Sequence, residues 1–214
     1  MRLYGYFRSS AAYRVRIALN LKGLAHETVA VHLLRDGGEQ HLPAYRALNP
    51  QGLVPSLATD GAVLTQSLAI IEYLEEIRPE PRLLPGTPLD RARIRALALA
   101  VAADLHPLNN LRVLAYLRDA LGQTEEGVGR WYRHWIAIGL TALEAMVAGD
   151  RRTGAFCQGD QPTLADVCLV PQLANARRFA ADLAGYPTLV AIDARCRALP
   201  AFRAAAPEAQ PDAE

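Results

Sequence analysis

The feature that most constrains this chain is a break at residues 78–90, where Pro79, Pro81, Pro85, Gly86 and Pro88 crowd together. Proline lacks a backbone N–H and fixes φ, so neither a helix nor a central strand continues through such a run, which reads as an interdomain linker. Strand patterning lies before it, and helical periodicity alone lies after it. The 214 residues therefore divide into an α/β domain over 1–80 and an all-helical domain over 88–214.

In the first part, residues 2–7 form a short β-type run. Ser9-Ser10 then precede a helix over 11–22, with Val15, Ala18 and Leu19 at helical spacing and Gly23 as its stop. His26–Leu33 alternates as a second strand, and its helical connection to the first predicts parallel pairing. A helical turn at 42–48 leads to strands over 54–57 and 62–64, which flank the hairpin signal Asp60-Gly61. Ser67 caps a helix over 68–77. After the linker, helices are predicted over 89–121 and 124–148, from Thr163 with its capping partner Asp166, and over 187–198, followed by a frayed tail from Pro207. Trp131, Tyr132, Trp135, Ile136 and Leu140 read as a core stripe on the second of these helices.

Charge and cysteine content exclude several classes of function. Lys+Arg 23 against Asp+Glu 22 leaves a net charge of +1, so no bulk field exists to hold nucleic acid or an anionic membrane. Lys22 is the only lysine, so the chain is arginine-rich and no arginine marks a site by type alone. Cys157, Cys168 and Cys196 are odd in number and lack C-x-x-C or histidine spacing, which predicts reduced core thiols and no metal centre. No stretch resembles a signal-peptide core, and no apolar run approaches the ~18 residues of a membrane span, so a soluble cytoplasmic protein is expected.

Chemistry gathers at the ends of the predicted strands. Arg8-Ser9-Ser10 joins the first strand to a helix N-terminus, where unpaired N–H groups and the positive end of the helix dipole favour a thiolate, phosphate or carboxylate. Either serine also serves as a plain helix cap. Val54-Pro55 precedes a strand, where a cis proline would present the Val54 backbone to an extended peptide and a trans proline would simply start the strand. Gln66-Ser67 opens a second helix, able to grip a carboxylate or merely to cap. Both helix starts follow strands of one small sheet, where α/β folds place ligands.

The run Arg8-Ser9-Ser10-Ala11-Ala12-Tyr13-Arg14-Val15-Arg16-Ile17-Ala18-Leu19 resembles the signature of the zeta class of glutathione transferases, which includes maleylacetoacetate and maleylpyruvate isomerases. The likeness continues through Ala47-Leu48-Asn49-Pro50, Val54-Pro55, Gln66-Ser67-Leu68-Ala69-Ile70-Ile71-Glu72-Tyr73-Leu74, Leu105-His106-Pro107-Leu108-Asn109-Asn110-Leu111-Arg112, Leu164-Ala165-Asp166 and Leu169-Val170-Pro171-Gln172. This resemblance implies the glutathione transferase architecture: a thioredoxin-like glutathione-binding domain followed by a helical domain that supplies the acceptor pocket, in a homodimer. It implies that Ser9 holds the glutathione thiolate with Ser10 beside it, and that Val54, through a cis Pro55, pairs with the cysteinyl backbone. Gln66 and Ser67 would hold the γ-glutamyl carboxylate, with His106 and Asn110 as further glutathione contacts. Ala11 and Ala12 stand where many zeta enzymes have Cys and Ser, so glutathione must bring the nucleophile.

Arg8, Arg112 and Arg178 match the family's substrate-contacting positions, and each can bind a carboxylate bidentately. On a regular helix Arg112 lies about 240° around from His106 while Asn110 shares its face, so Arg112 reaches the same pocket only where Pro107 distorts the helix. The expected activity is glutathione-dependent cis–trans isomerisation of a dicarboxylate, maleylacetoacetate or maleylpyruvate. The alternatives are a broader glutathione transferase or α-halo acid dehalogenase using the same thiolate, and a non-catalytic thioredoxin-like interaction module, which has no need of a thiolate site.

Overall fold

In a computed structural model, which describes residues Met1–Glu214, β1 (Arg2–Gly5), α1 (Ser10–Leu21) and β2 (Glu27–Ala30) form the expected parallel crossover. After α2 (Pro43–Leu48), the strands β3 (Ser56–Thr59) and β4 (Ala62–Thr65) make the hairpin, and α3 (Ser67–Ile77) follows. At the hairpin tip Asp60 and Gly61 both have positive φ, 49° and 77°, as a two-residue turn matched to strand twist requires. The sheet order is β2-β1-β3-β4, with β3 antiparallel to both of its neighbours, so β4 runs parallel to β1.

The chain separates into two compact units, Met1–Arg82 with Ala198–Glu214, and Leu83–Arg197. Residues 198–214, expected within the helical domain, therefore belong with the α/β unit. The tail is not frayed: α10 (Pro200–Ala205) packs on α1 with Phe202 and Ala205 fully buried, and the Gln210 side-chain amide donates to the Ala204 and Ala206 carbonyls at 2.9 Å each. This return explains why α1 is buried on every side from Tyr13 to Leu19, Arg14 and Arg16 included, where the sequence suggests a single stripe. Lys22 is buried as well; its ammonium donates to Glu75 and to the Pro79 and Pro81 carbonyls, which anchors the start of the linker.

The second unit holds α4 (Pro88–Leu99), α5 (His106–Leu108), α6 (Leu111–Asp119), α7 (Glu125–Ala148), α8 (Leu164–Arg178) and α9 (Pro187–Ala198). The single helix predicted over 89–121 is thus broken. Ala100–Leu105 widens into a π-type turn, with the His106 N–H reaching the Val101 carbonyl. Pro107 has no N–H to continue the regular ladder, and Asn110 leaves helical geometry at φ −67°, ψ 147° to start α6. The stripe on α7 is largely as expected, with Tyr132, Ile136 and Leu140 buried and the Trp131 indole N–H donating to the Leu108 carbonyl at 2.8 Å. Thr163 and Asp166 meet at the start of α8, where the fully buried carboxylate accepts from the Thr163 N–H at 2.8 Å, its hydroxyl at 2.9 Å and the Cys157 N–H at 2.8 Å. No helix is long and apolar enough to cross a membrane.

Candidate active site

Strand directions bring three of the singled-out segments to one end of the sheet. β1 runs out into Tyr6–Ser9, and β3 begins beside it, with Ser56 paired to Tyr4 and preceded by Val54-Pro55. β4 ends beside that same residue, Thr65 being paired to Ser56, and leads directly into Gln66-Ser67. The coincidence follows from strand direction and register: β1 and β4 deliver their carboxyl ends, and β3 its amino end, to the same end of the sheet.

Ser9 is the N-cap of α1, with φ −68° and ψ 115°, and its Oγ accepts from the Ala12 N–H at 3.2 Å. A hydroxyl has two lone pairs and one proton, so this cap uses Ser9 as an acceptor and leaves its O–H to donate to an anion at the helix N-terminus. The two roles that the sequence leaves as alternatives are therefore compatible. Ser10 is the first residue of the helix and is only 5% exposed, whereas Ser9 is half-buried. Arg8 is exposed, and its guanidinium lies over the Phe7 ring, 4.8 Å from the centroid.

Val54-Pro55 is a cis peptide bond, and Val54 sits ahead of β3, so its N–H and C=O lie outside the ladder. Behind it the loop is braced from the buried side. Asn49 Nδ2 donates to the Leu53 carbonyl at 2.7 Å and to Ser56 Oγ at 3.3 Å, and the Tyr45 hydroxyl donates to the same carbonyl at 2.7 Å. Gln66, rather than Ser67, is the residue at the cap of α3. It holds φ 68° and ψ 116°, a left-handed conformation that a non-glycine residue adopts at a cost of order 1–3 kcal/mol. Its side-chain amide donates to Gln51 Oε1 at 2.9 Å. Ser67 is buried at the first helical position, where its Oγ accepts from Arg14 Nη1 at 3.3 Å, a bond that ties α1 to the start of α3.

In the helical unit, His106, Asn110 and Arg112 gather at the α5–α6 junction. Because the chain breaks there, the regular-helix angle between His106 and Arg112 no longer applies. Asn110 caps α6 by accepting from the Arg112 N–H at 3.1 Å, so its carboxamide oxygen is engaged in the fold and its NH₂ group is the part left for a ligand. Arg112 is exposed on the first turn of α6. Arg178 closes α8 and is exposed; it donates to Asn175 Oδ1 at 3.1 Å and lies 5.0 Å from the Phe179 ring centroid.

Tyr132 is a residue that sequence reasoning left in the core stripe. It stacks on Phe179 with centroids 3.5 Å apart, its hydroxyl meets Arg178, and its carbonyl accepts from Asn109 Nδ2 at 3.3 Å. Tyr132 thus connects the α5–α6 junction, through its carbonyl, to the arginine that ends α8, through its hydroxyl. Burial pushes the phenol up to about 12 despite the nearby Arg178 charge, so it stays a neutral hydrogen-bonding group at physiological pH. All three cysteines are buried and none is in a disulfide, and burial pushes the Cys157 and Cys196 thiols up, which makes both poor nucleophiles.

The chain matches the family described as glutathione S-transferase, N-terminal domain, over residues 3–82. It is similar to a probable maleylacetoacetate isomerase of Vibrio cholerae, with 56% identity over 211 residues that cover 99% of this chain and 97% of the relative. Among solved structures, it superposes on a holo maleylpyruvate isomerase, described as a bacterial zeta-class glutathione S-transferase, with a TM-score of 0.97 and 51% identity across the whole of both chains. A maleylacetoacetate isomerase from Anaeromyxobacter dehalogenans 2CP-1, solved with dicarboxyethyl glutathione and citrate in its active site, gives a TM-score of 0.86 at 48% identity, covering 100% of this chain and 97% of that one.

Proposed function

The chain belongs to the zeta class of the glutathione transferases, and from that membership we propose that it is a glutathione-dependent isomerase that converts a maleyl dicarboxylate, maleylacetoacetate or maleylpyruvate, to its fumaryl isomer. The observation that carries the chemistry is the Ser9 hydroxyl, committed as an acceptor to Ala12 and left with its proton at a helix N-terminus. The residues fit glutathione: Ser9 for the thiolate, the unladdered Val54 backbone beside cis Pro55 for the cysteinyl peptide group, and Gln66 with Ser67 for the γ-glutamyl carboxylate. Ser10, His106 and the free NH₂ group of Asn110 complete the proposed contacts. When bound, glutathione supplies the thiolate that adds reversibly to the electron-poor cis double bond, which rotates as a single bond before the thiolate leaves.

The chain's own residues have two tasks. Ser9 and the N-terminal dipole of α1 favour the ionised thiol, which lowers its pKa toward neutrality. Arg8, Arg112 and Arg178 receive the substrate's carboxylates and the negative charge that develops during addition. A relative of the chain binds a dicarboxyethyl derivative of glutathione together with citrate, ligands of the carboxylate-rich kind that three arginines suit. We further assign a homodimer, which analytical ultracentrifugation would read as twice the 23.3 kDa chain mass, and a cytoplasmic location, tested by cell fractionation.

Retention on immobilised glutathione, followed by parallel assays with both maleyl acids, a neutral electrophile and an α-halo acid, tests the whole reading. Isomerisation of a maleyl acid is expected to exceed the other reactions. Glutathione binding with turnover of the α-halo acid alone would make the chain a dehalogenase, and retention without any turnover would make it a binding module.

A further inference from the structure

Arg16 sits in the middle of α1 and is 3% exposed, yet its guanidinium meets backbone carbonyls instead of a carboxylate. Nε donates to the Ala205 carbonyl at 2.9 Å, Nη2 to the Phe7 carbonyl at 3.0 Å and Nη1 to the Tyr6 carbonyl at 3.4 Å. One planar fork therefore bridges the last residue of α10 and the turn that follows β1. From the other side the tail closes the ring, because Asp212 Oδ2 accepts from the Phe7 N–H at 3.0 Å. Both peptide groups that flank Phe7 are thus held, the N–H by a carboxylate and the C=O by a guanidinium. The next two residues are Arg8, whose guanidinium rests on the Phe7 ring, and Ser9, whose N–H donates to the Tyr6 carbonyl at 2.9 Å.

We infer that Arg16 and Asp212 are positioning residues for the turn that carries Arg8 and Ser9, with the C-terminal tail acting as one jaw of a clamp on that turn. The inference rests on the proposed role of Ser9 at the thiolate. Holding the peptide group on each side of Phe7 fixes φ and ψ at that residue, and an angular error there displaces the hydroxyl and the guanidinium beyond it; small misplacements of reacting groups are costly in rate. The tail has its own seat. Gln210 bonds back to Ala204 and Ala206, while Glu214 pairs with Arg35 at 2.8 Å and lies 3.4 Å from His32 Nε2, whose ring packs edge-on against Tyr6. Burial lowers Arg16 to about 10 while the Asp212 charge pulls it back up, so Arg16 stays a cation at neutral pH. The arrangement also gives a use to the second arginine of the Arg14-Val15-Arg16 run.

The test compares Asp212→Ala, which removes the acceptor, with Asp212→Asn, which keeps an amide oxygen for the Phe7 N–H, and with Ser9→Ala, all in the full chain. Three quantities are read: the pKa of the bound glutathione thiol by thiolate absorbance, kcat and KM separately, and amide hydrogen exchange at Phe7 without glutathione. Asp212→Ala is expected to raise the thiol pKa, lower kcat about 3- to 10-fold with KM for glutathione within about threefold, and speed Phe7 exchange at least about tenfold. Asp212→Asn is expected to restore most of each. A lower melting temperature with unchanged thiol pKa and kcat would reduce Asp212 to a stability role and overturn the inference, as would equal losses in the Asn and Ala variants. If Ser9→Ala leaves the thiol pKa unmoved, the thiolate reading fails separately, and Phe7 exchange in the Asp212 variants still decides whether the tail holds the turn. Arg16→Gln, provided it folds, should repeat the Asp212→Ala pattern.

Discussion

Ser9 carries a structural and a chemical task on one oxygen, so its replacement separates them. Ser9→Ala removes a cap worth about 1 kcal/mol of stability and, on the proposed reading, a hydrogen bond to a charged thiolate worth roughly 1.5–3 kcal/mol. The expected outcome is a higher pKa for bound glutathione and turnover reduced roughly 10- to 150-fold, with glutathione affinity changed far less. An unchanged thiol pKa in an absorbance titration would pass the role to backbone donors. Arg8, Arg112 and Arg178 are all exposed, and replacing any of them by Met is expected to lower kcat/KM for a maleyl dicarboxylate roughly 10- to 150-fold while sparing a neutral electrophile. Equal damage to both reactions would make the arginines supports of the fold. The proper control is an exposed arginine such as Arg151. Arg93 does not qualify, because its side chain is 8% exposed and binds Asp150, Thr153, Gln158 and the Cys157 carbonyl. Since the three cysteines are buried, a variant lacking all of them is expected to keep its isomerase activity with saturating glutathione; loss of activity in a folded Cys-free chain would mean that a protein thiol takes part.

At the scale of elements, the broken helix between α4 and α6 matters most. Asn110 starts α6 and thereby places Arg112 on its first turn. Asn110→Ala should cost about 1 kcal/mol as a lost cap, and Asn110→Ser, which can still cap, should recover most of it in denaturant unfolding. The loop after α7 supplies a pH-dependent element. Asp150 is held well below the usual carboxylate range, first by the Arg152 side chain, then by the Arg152 N–H, with Arg93 and Arg152 adding positive charge. Its folded pKa lies below its unfolded value of about 3.9, so its stabilisation is present above that pH and is lost as pH falls through it toward the folded value. Asp150→Asn is therefore expected to be less stable than the parent at pH 7, with the gap narrowing below about pH 4. A gap of the same size at both pH values would show that the carboxylate's ionisation contributes nothing to the clasp.

At the scale of the whole molecule, the chain's last residues complete its first unit. Phe202 is fully buried on α10, which packs on α1, so Phe202→Ala should cost about 3–5 kcal/mol in thermal or denaturant unfolding. A cost below about 1 kcal/mol would mean that α10 is not part of that core. The amino-acid sequence by itself determined the features whose partners are close along the chain. The proline run closed the strand-bearing segment, alternation and Asp60-Gly61 specified the strands and their hairpin, and Ser9, Thr163 and Asp166 marked helix starts, because propensity, turn chemistry and capping act over a few residues. The tertiary structure alone decided which side chains meet across long separations. It joined Asp212 to Phe7, Arg16 to Ala205, and Tyr132 to Phe179 and Arg178. It also seated the tail on α1 and put positive φ on Gln66. No local pattern encodes these contacts, because each depends on loop closure and on burial shared with elements elsewhere in the chain; the Asp212 carboxylate acquires a partner only once α10 has packed and brought it to the turn after β1.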